Sequence, residues 1–159
     1  MVNLFRKSMA LVAPISGKVI DLSQVPDQVF AEKMVGDGVG IDSTGDIVVA
    51  PADGVVVLIF KTNHAFAMVL DNEIEIIVHI GIDTVELKGT GFKRLIEEGT
   101  KVKAGEPIIK VDREFIKEKG YSLVTPVIIT NSDRIKEIKY NTDIMAEVGK
   151  DIVIFYEAN

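Results

Sequence analysis

Short runs of Val, Ile and Leu, broken by Gly, Pro, Asp and Asn, recur along the chain and leave little room for long helices. Runs at 10–14, 17–22, 46–50, 54–60, 64–70, 73–80, 107–112, 123–130 and 152–157 read as strands. β-branched side chains pack well on a pleated surface, and the punctuating residues supply the turns between strands. The pattern predicts an all-β sandwich or barrel. Helical periodicity is confined to Phe92–Glu98, closed by Gly99, and to Asp112–Lys119, closed by Gly120, where glycine suits a helix end. No low-complexity linker divides the chain, so the expected organisation is a short tail over 1–9 and one domain over 10–159.

An internal echo accompanies this pattern. Val12-Ala-Pro-Ile-Ser-Gly-Lys-Val19 and Val49-Ala-Pro-Ala-Asp-Gly-Val-Val56 share V-A-P-x-[S/D]-G-x-V. Each copy reads as strand, turn, strand. Either two turns use similar residues by coincidence, or the copies are related hairpins in two facing sheets.

Charge and composition narrow the function. The net charge is −6, whereas a nucleic-acid face needs clustered Lys and Arg; an acidic chain is steered towards partners with a basic patch. There is no cysteine, hence no thiolate zinc site, thiol nucleophile or disulfide. No apolar run approaches the ~18–20 residues of a membrane span, and Met1–Met9 resembles neither signal peptide nor anchor. The expected location is cytoplasmic.

The chain has two histidines, His64 and His79. If Asp71-Asn72 forms a two-residue hairpin loop between 64–70 and 73–80, His64 lies directly opposite His79. Strand alternation then places both on the more exposed face, beside Phe66 and Ile77, with Ala65, Ala67 and Val69 facing the core. A histidine pair on an outer face suits chemistry better than core filling. The chain lacks the H-x-H and H-E-x-x-H spacings of zinc hydrolases, a G-x-S-x-G elbow and a Walker A loop. A neutral imidazole can attack phosphorus while a neighbouring imidazole donates a hydrogen bond to the transferring oxygens.

Three segments carry a resemblance. His79-Ile-Gly-Ile-Asp-Thr-Val-Glu-Leu-Lys-Gly89, Phe60-Lys-Thr-Asn-His-Ala-Phe66 and Val25-Pro-Asp-Gln-Val-Phe-Ala-Glu-Lys-Met-Val-Gly-Asp-Gly38 resemble the glucose-type enzyme IIA of the bacterial phosphoenolpyruvate–sugar phosphotransferase system. The resemblance extends from about residue 10 to the C-terminus and includes the spacing between the motifs. It implies a compact antiparallel β-sandwich with short helical turns and a shallow active-site depression on one sheet.

It further implies a protein-to-protein phosphotransferase. His79 would accept phosphate from the phosphocarrier HPr on Nε2 and pass it to a cysteine of a glucose-type EIIB domain. His64 would stabilise the phosphoryl group, Thr62 would orient His64, and the Gly81 carbonyl would fix the tautomer of His79. Asp27 and Asp83 would meet an arginine of HPr. Val29, Phe30, Met34, Val35, Phe60, Ile77 and Val85 would form the apolar docking rim. Taken singly, Asp27 and Asp83 read as turn starters, Thr62 as a strand threonine and most of the apolar residues as core. Glu73 stands where glycine is common in the family, and Ile77 and Ile80 where bulkier aromatics are common. The stretch before residue 10 is short beside the tail some members use at the membrane.

No cofactor is required by this reading, although His64 and His79 with a partner carboxylate could hold an interfacial zinc. The expected protein is a monomer, transiently at the inner membrane face through its permease. Two rivals stand beside it. One is a regulatory module that binds metabolic enzymes or permeases without phosphate chemistry. The other is a zinc peptidase of related β-sandwich type, suggested by the turn Gly99-Thr-Lys-Val-Lys-Ala-Gly105 and opposed by the missing H-x-H.

Overall fold

A computed structural model describes residues 9–159; the segment read as a tail lies outside the described residues except for Met9, which already belongs to the first strand. Among the described residues, fourteen strands follow in chain order. They are β1 (Met9–Val12), β2 (Gly17–Asp21), β3 (Asp37–Ser43), β4 (Ile47–Val49), β5 (Gly54–Ile59), β6 (Ala65–Leu70), β7 (Glu75–His79), β8 (Phe92–Arg94), β9 (Lys101–Val102), β10 (Pro107–Val111), β11 (Val124–Ile129), β12 (Ile135–Tyr140), β13 (Met145–Ala146) and β14 (Ile152–Ala158). The α-helices are α1 (Gln28–Ala31) and α2 (Arg113–Glu118).

The sandwich expected from the sequence is present. An eight-stranded antiparallel sheet, ordered β13-β2-β3-β11-β7-β6-β5-β9, is covered on one face by two three-stranded sheets, β1-β14-β12 and β4-β10-β8. Leu11 and Ile154 from one small sheet, Val48 and Ile109 from the other, and Val19, Phe66 and Val127 from the large sheet share a single buried core. Burial of each such side chain contributes about 1.5–3 kcal/mol, which is the main force joining the layers.

The internal echo is a real duplication of structure, but its copies are not hairpins. Each passes from a small sheet into the large one, β1 to β2 and β4 to β5. The copies also bind each other reciprocally: Val12 N–H donates to Pro51 O at 2.9 Å and Val49 N–H to Pro14 O at 2.8 Å. The order of the large sheet is likewise symmetric about its central pair, β11 and β7.

Two local expectations are overturned. Phe92–Glu98 is not helical: its first three residues form β8, paired with β10 through Ile109↔Arg94, Lys110↔Lys93 and Val111↔Phe92. Burial of Phe92 and the strand ladder outweigh a local spacing that suits helix equally well. The hairpin register is also shifted by one residue. Ala65, not His64, lies opposite His79, and Phe66 opposite Val78. The loop has three residues, because Leu70 N–H donates to Ile74 O and Glu73 N–H to Leu70 O, with Glu73 left-handed at φ 70°. Phe66, Met68 and Leu70 therefore face the core, while Ala67 and Val69 are half-buried on the outer face.

A second, smaller apolar cluster lies on the outer face of the large sheet. Leu22, Val25, Phe30, Ile82 and Ile128 are buried in it, with Val35 and Ile77 packed alongside. A helix of four residues has no stability of its own; α1 is held by Phe30 in this cluster and by Asp27, whose side chain accepts from Val29 N–H at its N-terminus. Glycines on β3 admit the segment before α1: a Cβ on Gly40 would lie 2.6 Å from Val25 Cγ2.

Candidate functional site

His79 ends β7 on the outer face and is half-buried. The chain then turns left-handed at Gly81, with φ 81°, and the Gly81 carbonyl accepts from His79 Nδ1 at 2.7 Å. A carbonyl can only accept, so Nδ1 carries the proton and the lone pair resides on Nε2. The turn is itself fixed. Thr84 Oγ1 donates to Ile80 O at 2.7 Å, and Ile82 N–H donates to Ser122 O at 3.0 Å. A Cβ at Gly81 would sit 2.6 Å from Thr84 Cγ2 and 2.8 Å from Ser122 O, so glycine is required by space as well as by φ.

His64 comes from the turn that precedes β6 and is only 3% exposed. Its presence beside His79 does not arise from direct strand pairing. The His64 carbonyl accepts from Ile80 N–H at 2.7 Å, and the turn brings the imidazole back over the sheet. The two rings meet edge to face with centroids 4.9 Å apart. Thr62 Oγ1 and His64 Nδ1 form a hydrogen bond of 2.5 Å. Phe60 packs edge-on against His64 at 5.4 Å, and Phe30 packs tilted against His79 at 5.1 Å, giving an aromatic row Phe30–His79–His64–Phe60.

Both imidazoles favour the neutral state. Burial pushes His64 down to about 4, helped by the nearby His79. Burial also lowers His79, against the opposing pull of the Gly81 hydrogen bond and the charges of Asp27 and Asp83. At neutral pH the arrangement offers an uncharged nucleophilic Nε2 beside a second uncharged imidazole.

The expected rim residues differ in their surroundings. Val29, Met34 and Val85 are exposed, at 45%, 69% and 50%. Val35, Phe60 and Ile77 are half-buried. Phe30 is buried and packs on His79, so it shapes the floor more than it offers contact area. Asp83 is exposed and left-handed at φ 59°, and its side chain makes no capping bond to the 3-10 turn Thr84–Leu87 that it precedes, whereas Asp27 caps α1.

Several neighbours escape the sequence reading. Val57 and Leu58 are both exposed, at 48% and 45%, because β5 shifts register between Val56 and Leu58; the run Val55–Ile59 is apolar throughout, so it carries no signal for this bulge. Asn63 adopts a left-handed φ of 58° and accepts from Arg94 Nε at 2.8 Å. Thr84 and Ser122 carry no local sequence signal. Among the described residues no group of three or more His, Cys, Asp or Glu is placed to hold a metal ion.

The family model for the phosphoenolpyruvate-dependent sugar phosphotransferase system, EIIA 1, matches residues 9–135. A glucose-specific EIIA component from Borreliella burgdorferi is 50% identical over 87% of this chain and 75% of its own length. An N-acetylglucosamine-specific EIICBA component from Klebsiella pneumoniae is 57% identical over 78% of this chain, although the match spans only 19% of that relative. Among solved structures, the glucose permease IIA from Mycoplasma capricolum superposes with a TM-score of 0.86 at 34% identity, covering 95% of this chain and 97% of that one. The chain therefore belongs to the EIIA 1 family of the phosphoenolpyruvate-dependent sugar phosphotransferase system, whose members carry phosphoryl groups between proteins.

Proposed function

We propose that His79 is the phosphoryl carrier of this protein and that His64 stabilises the group in transit. The observation that supports this reading is the pair of imidazoles 4.9 Å apart, each hydrogen-bonded through Nδ1. In acceptance, His79 Nε2 forms a bond to phosphorus as the bond to the donor nitrogen of phospho-HPr breaks. The proton stays on His79 Nδ1 throughout, donated to the Gly81 carbonyl, and the displaced pair remains on the donor imidazole. When Thr62 O–H donates to His64 Nδ1, the His64 proton resides on Nε2, placed to hydrogen-bond a phosphoryl oxygen and stabilise its developing charge. In donation the thiolate of an EIIB cysteine attacks phosphorus and the electron pair returns to His79 Nε2.

Asp27 and Asp83 are the charged contacts for a basic partner residue, and Val29, Met34, Val35, Phe60, Ile77 and Val85 are the apolar rim that excludes water during transfer. Residues 10–159 act as one EIIA domain, working at the cytoplasmic face of an EIIB/EIIC permease in sugar uptake. Along the described residues no helix is long and apolar enough to cross a membrane. An interfacial zinc would use His79 Nε2 and, with the His64 proton moved to Nδ1 and donated to Thr62 Oγ1, His64 Nε2, together with a carboxylate of a regulated partner, and so would compete with phosphorylation.

Incubation with phosphoenolpyruvate, enzyme I and HPr tests the assignment. One acid-labile phosphoryl group is expected, mapped to His79 by mass spectrometry and absent from His79→Ala. Incorporation that persists in His79→Ala overturns it.

A further inference from the structure

We propose that Arg94 is a positioning residue for phosphoryl transfer, acting through the turn that presents His64. This rests on the reading of His64 given above. Arg94 is the last residue of β8, an edge strand of a small sheet, and its side chain crosses to the 60–65 turn. Nε donates to Asn63 Oδ1 at 2.8 Å, and Nη2 reaches Phe60 O at 3.4 Å. Among the described residues no carboxylate lies within ion-pair distance of Arg94, so this guanidinium, in a chain of net charge −6, is committed to a loop rather than to an acid.

That loop needs an anchor. Its residues lie outside the ladder, and Asn63 is held at φ 58°, a conformation disfavoured for a residue with a Cβ. The turn is closed by Asn63 N–H to Phe60 O at 2.7 Å and by Phe60 N–H to Ala65 O at 2.9 Å. Arg94 therefore grips both ends of the segment that carries Thr62. It also fixes Phe60, whose ring packs on His64, and Asn63, the residue immediately before His64. Without it the turn can relax while the core stays intact, and the His64 Nε2–H loses its aim at the phosphoryl oxygens. Misplacement of a catalytic group by about 1 Å can cost about 100-fold in rate.

The test measures single-turnover donation from the phosphorylated full chain to an EIIB cysteine, for Arg94→Ala, Arg94→Lys, Asn63→Gly, His64→Ala and the double variant Arg94→Ala/His64→Ala. Asn63→Gly preserves the left-handed turn while removing the contact to Arg94, and so covers the case in which Arg94→Ala folds poorly. Arg94→Ala should slow donation about 10- to 100-fold. Arg94→Lys should recover part of the rate, since one ammonium can reach one oxygen but not span both, and Asn63→Gly should fall between Arg94→Lys and Arg94→Ala. In the His64→Ala background, Arg94→Ala should have no further effect, because its contribution passes through His64. An unchanged rate in Arg94→Ala and Asn63→Gly, or an equal loss with and without His64, overturns the proposal. Full donation by His64→Ala instead removes the His64 reading itself, and Arg94's proposed role with it.

Discussion

The proposed chemistry rests on two residues, His64 and His79, whose protons are decided by their immediate neighbours. His64 is buried and its pKa falls to about 4, while in the unfolded chain it titrates near 6.5. Below about pH 6.5 the unfolded state takes up a proton that the folded state refuses, so stability falls as pH drops to about 4 and levels off below it for this group. The full loss is about 3 kcal/mol. Urea unfolding at pH 7, 5.5 and 4 should show this decline, and His64→Gln should flatten it; identical slopes in both proteins would assign the acid sensitivity elsewhere. Gly81 gives a second expectation. Gly81→Ala forces a Cβ against Thr84 and Ser122 at an unfavourable φ, so it should cost about 2 kcal/mol or more. Nitrogen-15 shifts of His79 should then report a mixture of tautomers in place of one Nδ1–H form. At this scale the sequence marks His64 and His79 as its two histidines, and Gly81 only through the resemblance of its segment to the family. It does not mark Arg94 or Ser122, which meet the site only through tertiary folding.

Elements were legible where side-chain pattern and backbone role agree. The apolar runs of β5, β6, β7, β10 and β11 announce buried strands. β3 does not, because Asp37-Gly-Val-Gly-Ile-Asp-Ser43 has the composition of a loop; its glycines serve close backbone approach, with a Cβ at Gly38 falling 1.9 Å from Val127 O. β12, Ile135-Lys-Glu-Ile-Lys-Tyr140, is a charged edge strand whose polar face weakens its apolar signal. The hairpin departs from the expected register for a definite reason. Asp71-Asn72 suits a two-residue turn, yet Glu73 adopts a left-handed conformation and lengthens the loop by one. Since strand faces alternate, that single residue exchanged the inner and outer faces of β6. Glu73→Gly should relieve the conformational cost and stabilise the hairpin by about 0.5–1 kcal/mol. A rise in urea midpoint with an unchanged slope checks this; a fall would mean that the loop tolerates Glu without strain.

Across the whole molecule, a nearly symmetric frame carries an asymmetric site. Val127 pairs with Val78 at the centre of the large sheet, and one residue onward on each strand stand Ile128 and His79. Ile128 is buried in the outer cluster beneath the α1 segment, while His79 remains half-open beside Phe30. Half of the duplicated surface thus anchors the segment that shapes the other half. The same segment places Asp27 on one side of His79, with Asp83 on the following turn, and the charge of both is felt at the imidazole. Two carboxylates beside an apolar rim on a chain of net charge −6 should steer a basic donor before any close contact forms. The rate of phosphoryl acceptance from phospho-HPr should therefore fall as salt rises from about 0.05 to about 0.5 M. Asp27→Asn/Asp83→Asn should slow acceptance about 10-fold at low salt and weaken the salt dependence. The pair is a clean test, because Asn caps a helix about as well as Asp and Asp83 makes no capping bond, so stability should hold. A salt dependence equal in the variant and the parent would show that steering comes from the overall charge, and that the carboxylates flanking His79 serve only in the docked complex.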